Sequence, residues 1–105
     1  MFAVIYRAFI KPGQEESYRN YWKQVSTFFV KERGSLGCTL HKTSDGMWVA
    51  YSKWPDKATR DSSWSNEINA TFPKEIHTAI EGLKGCLSEQ LPEICMEIQD
   101  EVIHM

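Results

Sequence analysis

The sequence has too few cysteines to support a disulfide framework. Its 105 residues contain three, Cys38, Cys86 and Cys95, which are widely separated and, being odd in number, cannot all pair with one another. Unpaired thiols are typical of a reducing compartment, so the composition predicts a cytoplasmic protein. The sequence also lacks a Cys-x-x-Cys pair and zinc-like spacing of cysteine and histidine. We therefore expect neither a disulfide nor a metal site.

Long hydrophobic runs and an excess of positive charge are also missing. No apolar run approaches the roughly 20 residues that a membrane-spanning helix needs, and no basic leader precedes the first apolar stretch. Lys and Arg number 12 against 14 Asp and Glu, for a net charge of −2, which gives no electrostatic reason to expect nucleic acid or an anionic membrane as partner. No flavin, nicotinamide or phosphate-loop motif is visible, so we expect no cofactor. With 42% apolar and 25% charged residues, residues 1–105 are typical of one globular domain.

The strongest local signal that is present is a hairpin centred on Asp45-Gly46. Asp-Gly is typical of a tight turn because glycine accepts a positive φ. The preceding run, Ser35–Lys42, has one apolar face and one small or polar face, which is typical of an edge strand. The following run, Met47–Trp54, is apolar on both faces, and so is the N-terminal run Phe2–Ile10. Both are predicted to be central strands.

Helical periodicity follows the first strand and the hairpin. Between Glu15 and Lys31 a single stripe with a period of 3.6 residues predicts one amphipathic helix that packs on the sheet. The apolar residues of this stripe are Tyr18, Tyr21, Trp22, Val25, Phe28 and Phe29. After the hairpin, a second helical region is predicted over Lys57–Asn69 with Asp56 as N-cap. Pro73 interrupts this region, so Lys74–Glu81 is predicted as its continuation beyond a bend or as a second short helix. An edge strand is predicted over Ile94–Gln99.

The order of these elements, β-α-β-β-α-β, predicts an α+β domain of the ferredoxin-like class with a four-stranded antiparallel sheet. This topology places the first and third strands in the middle of the sheet. Two helices cover only one of its faces, so the other face must meet something apolar, most simply the same face of a second copy. The sequence therefore predicts a homodimer.

Several short motifs are shared with a known family. They are Tyr6-Arg7-Ala8-Phe9, Lys11-Pro12-Gly13-Gln14-Glu15, Tyr18 with Trp22, Gly34-Ser35-Leu36-Gly37-Cys38 through Leu40-His41, Asp45-Gly46 with Trp48-Val49-Ala50-Tyr51, and Trp54-Pro55 leading to Arg60-Asp61. Together they resemble the antibiotic biosynthesis monooxygenase (ABM) domain over residues 2–103. The resemblance implies a dimeric α+β barrel with a hydrophobic cleft in each subunit between the sheet and its helices. Characterised members of that family include cofactor-independent oxygenases of aromatic polyketides and haem-degrading enzymes.

The oxygenase chemistry that the resemblance implies needs no cofactor. A deprotonated electron-rich phenol, quinol or anthrone reduces dioxygen itself, so the protein supplies a dry pocket, a proton acceptor and hydrogen bonds to the developing oxyanion. We predict His77 as the proton acceptor, because an imidazole with a pKa of about 6.5 accepts a proton at neutral pH. Trp22, Trp48, Tyr51 and Trp64 are predicted to bind the aromatic substrate.

Other interpretations stay open. Aromatic side chains commonly form cores and interfaces, and His77 is also compatible with an exposed position on its helix. The same cleft suits a non-catalytic small-ligand-binding or stress-response protein. A haem-degrading enzyme is less favoured: those enzymes carry an asparagine where this chain has Arg7, and a tryptophan ten residues before the histidine, where this chain has Glu67.

Overall fold

The computed structural model describes residues 1–64 and 72–103. Within these ranges the chain forms four strands and three helices, which are β1 (Phe2–Ile10), α1 (Glu15–Glu32), β2 (Gly37–Lys42), β3 (Trp48–Trp54), α2 (Lys57–Ser63), α3 (Lys74–Gly85) and β4 (Leu87–Glu97). The strands form one sheet in the order β2-β3-β1-β4, and every neighbouring pair is antiparallel. The predicted ferredoxin-like α+β fold is confirmed, with β1 and β3 at its centre.

The last strand is longer than predicted. It begins at Leu87, whereas the sequence predicts a start at Ile94. Its first half contains Ser, Glu, Gln and Pro92, a composition that is depleted in strands. Proline is tolerated here because β4 is an edge strand and because its register with β1 shifts between Ile5 and Arg7, which is the kind of irregularity where strand proline occurs.

The two later helices also differ from the prediction. Helix α3 continues through Gly82 to Gly85, past the predicted end at Glu81. A Cβ atom at position 82 would lie 2.6 Å from Cζ of Tyr21, so this glycine allows α1 and α3 to approach closely. Helix α2 ends at Ser63, and the part of the predicted Lys57–Asn69 helix from residue 65 onward lies outside the described residues.

The core lies between one face of the sheet and the helices. Register pairs Phe2 with Trp54 and Val4 with Ser52, so these side chains share the face that the helices cover. Residues from the sheet, α1 and α3 form its larger cluster, which comprises Phe2, Val4, Val25, Phe29, Trp54, Ala79 and Ile80. The predicted stripe of α1 does pack on the sheet, since Tyr18, Val25 and Phe29 are buried.

The opposite face of the sheet, which we call the open face, also carries apolar side chains. At its centre Ile5 of β1 pairs with Tyr51 of β3 and with Ile94 of β4. These three side chains are half-buried or exposed, because the described helices pack on the other face. None of the helices in the described ranges has the length and hydropathy of a membrane span.

Candidate ligand-binding cavity

A cavity of about 180 Å³ lies within the covered side of the sheet, under helix α1. It exists because the central strands present small side chains there: Ala8 on β1, and Ala50 and Ser52 on β3. Bulky side chains from α1, α3 and the segment after α2 surround this space without filling it. They include Tyr18, Trp22, Val25, Phe29, Trp64, Ile80 and Leu83.

An aromatic cluster closes one end of the cavity. Phe29 lies at its centre, with its ring centroid 4.6 Å from that of Trp64 and 6.3 Å from that of Trp54. The indole nitrogen of Trp54 donates to Oγ of Ser52 at 3.0 Å, so this buried N–H has its partner within the protein. Trp64 is 40% exposed and therefore lies between the cavity and solvent.

Tyr6 of strand β1 is one of the residues that surround the cavity. The side chain lies on the same face as Val4 and Ala8 and belongs to the lining. Its oxygen accepts a hydrogen bond from Nη2 of Arg60, at 3.2 Å. Arg60 belongs to α2 and is not part of the lining, so its contact with a lining residue is this hydrogen bond to Tyr6.

The Arg60 side chain is held by partners from two other elements. Its Nη2 also donates to Oε2 of Glu93 on β4 at 2.5 Å, and its Nη1 lies 3.4 Å from Oδ1 of Asp61. Only 13% of the side chain is exposed. Burial acts to lower the pKa of Arg60, but the hydrogen bonds to Tyr6 and Glu93 outweigh it and raise the pKa overall. The guanidinium is therefore a fixed positive charge behind Tyr6.

The predicted substrate-binding residues are only partly brought together. Trp22 and Trp64 line the cavity, and so does Tyr51. Register places the Tyr51 side chain on the open face beside Ile5, so Tyr51 contributes to the lining through its backbone. Trp48 is not in the lining; it is buried against Tyr18, with ring centroids 5.7 Å apart.

The predicted proton acceptor lies elsewhere. His77 is exposed on α3 and is not among the lining residues, because the buried side of that helix is formed by Ala79 and Ile80. The catalytic role assigned to His77 from the sequence stays a prediction. In the described ranges, no group of three or more His, Cys, Asp or Glu side chains lies close enough to hold a metal ion.

Sequence reasoning missed the role of Tyr6 and Arg60 at this site. A signal for Tyr6 exists, because strand alternation places it on the same face as Phe2 and Val4. No such signal exists for Arg60, because it lies 54 positions from Tyr6 on a short helix and local periodicity does not link the two residues. Its neighbour Asp61 suggests only a surface ion pair.

Comparison with known proteins identifies the fold. No protein-family profile and no curated protein sequence matches this chain. Solved structures do match: one described as an antibiotic biosynthesis monooxygenase is 18% identical, covers 95% of this chain and 100% of its own, and has a TM-score of 0.72. Rv0793 from Mycobacterium tuberculosis is 16% identical over 97% of this chain and 98% of its own, with a TM-score of 0.72.

A third match has a described activity. SnoaB, a cofactor-independent oxygenase from Streptomyces nogalater, is 12% identical, covers 98% of this chain and 97% of its own, and has a TM-score of 0.73. The TM-scores and coverages show the shared fold, whereas identities this low do not show that the activity is shared. The chain has the fold of the antibiotic biosynthesis monooxygenase structures.

Proposed function

We propose that this chain binds a small aromatic phenol or quinol in the cavity and oxidises it with dioxygen, without a cofactor. The observation that carries the proposal is a space bounded by aromatic rings and small side chains, with Tyr6 in its lining. A cavity of about 150 Å³ is known to hold benzene. The 180 Å³ available here therefore suits one ring or two fused rings.

The proposed reaction balances with dioxygen as the only co-reactant. For 1-naphthol as the probe, the hydroxyl loses its proton and the ring carbon para to it forms a bond to dioxygen. The O–O bond then breaks: one oxygen atom stays as the second carbonyl of 1,4-naphthoquinone, and the other leaves as water with the two hydrogens that the naphthol loses. The ring supplies all the electrons. The protein's part is to exclude water and to stabilise the oxyanion.

Two kinds of support favour this activity. The cavity is apolar, so a bound phenolate meets few competing waters, and electrostatic interactions there are stronger than in bulk solvent. The shared fold with SnoaB, whose description is a cofactor-independent oxygenase, makes the same kind of chemistry the first one to test. The proposal includes His77 as the proton acceptor, a role that is supported by the sequence alone.

We also propose that the functional unit is a homodimer formed through the open face. Ile5, Tyr51 and Ile94 lie at the centre of that face, which the described helices leave uncovered. Burying apolar side chains against a second copy removes them from water, and each Å² of apolar surface contributes about 25 cal/mol.

A second candidate is a binding module with no turnover. The observation that favours it is the absence of His, Asp and Glu from the cavity lining within the described ranges. A protein that only binds a phenol or quinol does not need a proton acceptor, whereas the oxygenase does.

An oxygen electrode separates the two candidates. We expect the parent protein to consume dioxygen with 1-naphthol in the presence of EDTA, above a control without protein. Ser26→Leu places a larger side chain into the cavity, because Ser26 belongs to the lining, whereas Thr27→Leu changes an exposed neighbour on α1. The first variant should lose uptake and the second should keep it.

The same measurement is made on His77→Ala, and each outcome is informative. No uptake by the parent, with naphthol binding intact, would contradict the oxygenase and leave the binding module. Equal uptake by both leucine variants would contradict the cavity as the site. A lower rate in His77→Ala is what the sequence-based prediction requires, and a rate equal to the parent's would remove His77 from the mechanism.

A further inference from the structure

We propose that Tyr6, positioned by Arg60, is the group that binds the oxygen atom of the aromatic ligand. The inference rests on the proposed function, because it assigns a residue that the ligand contacts within the same cavity. It predicts selection for aromatic molecules with a phenol or phenolate oxygen over hydrocarbons of the same shape.

The hydrogen bonding of Tyr6 leaves its own proton available. The phenol oxygen accepts from Arg60, so its O–H must point away from the guanidinium. Among the described residues, no group accepts that proton. The O–H of the half-buried Tyr6 therefore lacks an acceptor in the part of the protein that the structure describes, and a ligand oxygen in the adjoining cavity would supply one.

The position of Arg60 explains why an anionic oxygen is favoured. The guanidinium is always protonated and is fixed by Glu93 and Asp61. Its hydrogen bond polarises the phenol of Tyr6 and makes the O–H a stronger donor, since bonds in a chain strengthen one another at low dielectric. Arg60 is therefore a positioning residue: it acts through Tyr6 and is not in the cavity lining.

The charged and amide side chains of the lining, Arg7, Lys84 and Gln90, are less suited to this task. Arg7 shares the open face with Val49 by register, and its Nη2 donates to the carbonyl oxygen of Pro92 at 3.0 Å. Lys84 and Gln90 are exposed, so water competes for their hydrogen bonds. Tyr6 alone among these four is both half-buried on the cavity side and backed by a charge.

The first experiment compares 1-naphthol with naphthalene, which differ by one oxygen atom. Equilibrium dialysis should show that the parent binds 1-naphthol about tenfold more tightly than naphthalene, as expected for one good hydrogen bond in an apolar site. Tyr6→Phe keeps the ring and should abolish this preference, while its affinity for naphthalene stays within about twofold of the parent value. Tyr21→Phe is the control, because Tyr21 is a half-buried tyrosine outside this cavity.

The second experiment measures the ionisation of bound 1-naphthol from its absorbance as the pH is raised. In the parent the pKa of the bound naphthol should lie below that of free naphthol. Both Tyr6→Phe and Arg60→Met should raise it, and Arg60→Lys should restore part of the difference. Lys42→Met removes an exposed cation that pairs with Glu15 and is not in the cavity lining, so it should leave the pKa of bound naphthol unchanged.

The outcomes distinguish this inference from the function on which it rests. If the parent binds both compounds and Tyr6→Phe changes neither affinity nor the pKa of bound naphthol, the role of Tyr6 is overturned and the aromatic site stands. If the parent binds neither compound, the proposed function fails and the role of Tyr6 fails with it. Circular dichroism of each variant establishes that it is folded.

Discussion

Gly82 shows how a single missing side chain sets the distance between two helices. An added Cβ would approach the Tyr21 ring to 2.6 Å, and overpacking of this kind typically costs about 1–3 kcal/mol. We expect Gly82→Ala to lower the free energy of unfolding, although alanine is the better helix former by about 1 kcal/mol. Gly85→Ala is the matched control on the same helix, because nothing lies within 4 Å of its added Cβ. If urea denaturation shows that Gly85→Ala loses more free energy of unfolding than Gly82→Ala, this packing is contradicted.

Phe29 and Trp22 belong to the same stripe of α1 but have different roles. Phe29 is buried among Trp54, Trp64 and Phe72, whereas Trp22 is half-buried at the cavity. Phe29→Ala should therefore cost about 3–5 kcal/mol. Trp22→Ala should cost clearly less stability and should weaken 1-naphthol binding. Thermal melts and dialysis on both variants test this, and equal losses of stability would mean that Trp22 is a core residue.

At the residue scale, the sequence predicted which side chains are buried in the core better than it predicted which side chains form the candidate site. A 3.6-residue stripe predicts that Val25 and Phe29 face the sheet, and they do. The contact between Tyr6 and Arg60 joins β1 to α2 and depends on tertiary packing, which no local sequence pattern predicts. Chemical suitability pointed to His77, but the rotation of α3 places that side chain in solvent.

Helix α2 carries Arg60, and its N-terminus depends on Asp56. The carboxylate of Asp56 accepts from the backbone N–H of Thr59 at 2.7 Å, which satisfies a helix donor that otherwise has no partner. Hydrogen bonds from Thr59, that of the backbone first, hold the pKa of Asp56 below its ordinary value. Because the pKa of Asp56 is lower in the folded state, the cap stabilises the protein fully above the unfolded-state pKa of about 4. This stabilisation is lost as the pH falls through the folded-state pKa.

This linkage predicts how the cap responds to pH. The Tm of Asp56→Ala should lie below that of the parent at pH 7, and the difference should shrink as the pH drops below about 4. Asp56→Ser caps without a charge, so its difference from Asp56→Ala should persist in acid. Thermal melts over the pH range would contradict the cap if the parent and Asp56→Ala differ equally at all pH values.

At the element scale, helices and strands with strong periodicity were predicted correctly, whereas segments of mixed composition were not. The alternation of Phe2–Ile10 and the stripe of α1 identified both elements nearly to the residue. The first half of β4 was missed because Pro92 and its polar neighbours resemble a loop, and only pairing with β1 makes them a strand. The end of α3 was missed because glycine usually marks a helix stop, whereas Gly82 serves close packing.

At the scale of the whole molecule, two copies of the chain are proposed to form a dimer through the open face. Ile5 lies at its centre between Tyr51 and Ile94, so Ile5→Lys would place a charge in the interface, where an unpaired buried charge is strongly unfavourable. We expect the parent to sediment as a dimer at micromolar concentration and Ile5→Lys as a folded monomer. Val30→Lys changes a side chain of α1 that is 44% exposed and should remain dimeric. A parent that sediments as a monomer would contradict the proposed interface.

The fold of the whole molecule was the most predictable level. The order of the elements and the two-sided apolar character of β1 and β3 are sufficient to give the sheet order, because central strands must be covered on both faces. The location of the cavity, between the sheet and the helices, was predictable from the sequence, but the residues that line it were not. The lining brings Ala50 and Ser52 of β3 together with Trp22 of α1, a relation that only the three-dimensional packing shows.

A crystal structure of the parent protein with 1-naphthol would show directly whether the cavity binds the aromatic ring. We expect electron density for the naphthalene ring inside the cavity, between Trp22 of α1 and Ala50 of β3. The naphthol oxygen should lie within about 3 Å of Oη of Tyr6. Naphthol bound only outside this cavity, at concentrations where dialysis shows saturation, would contradict the account.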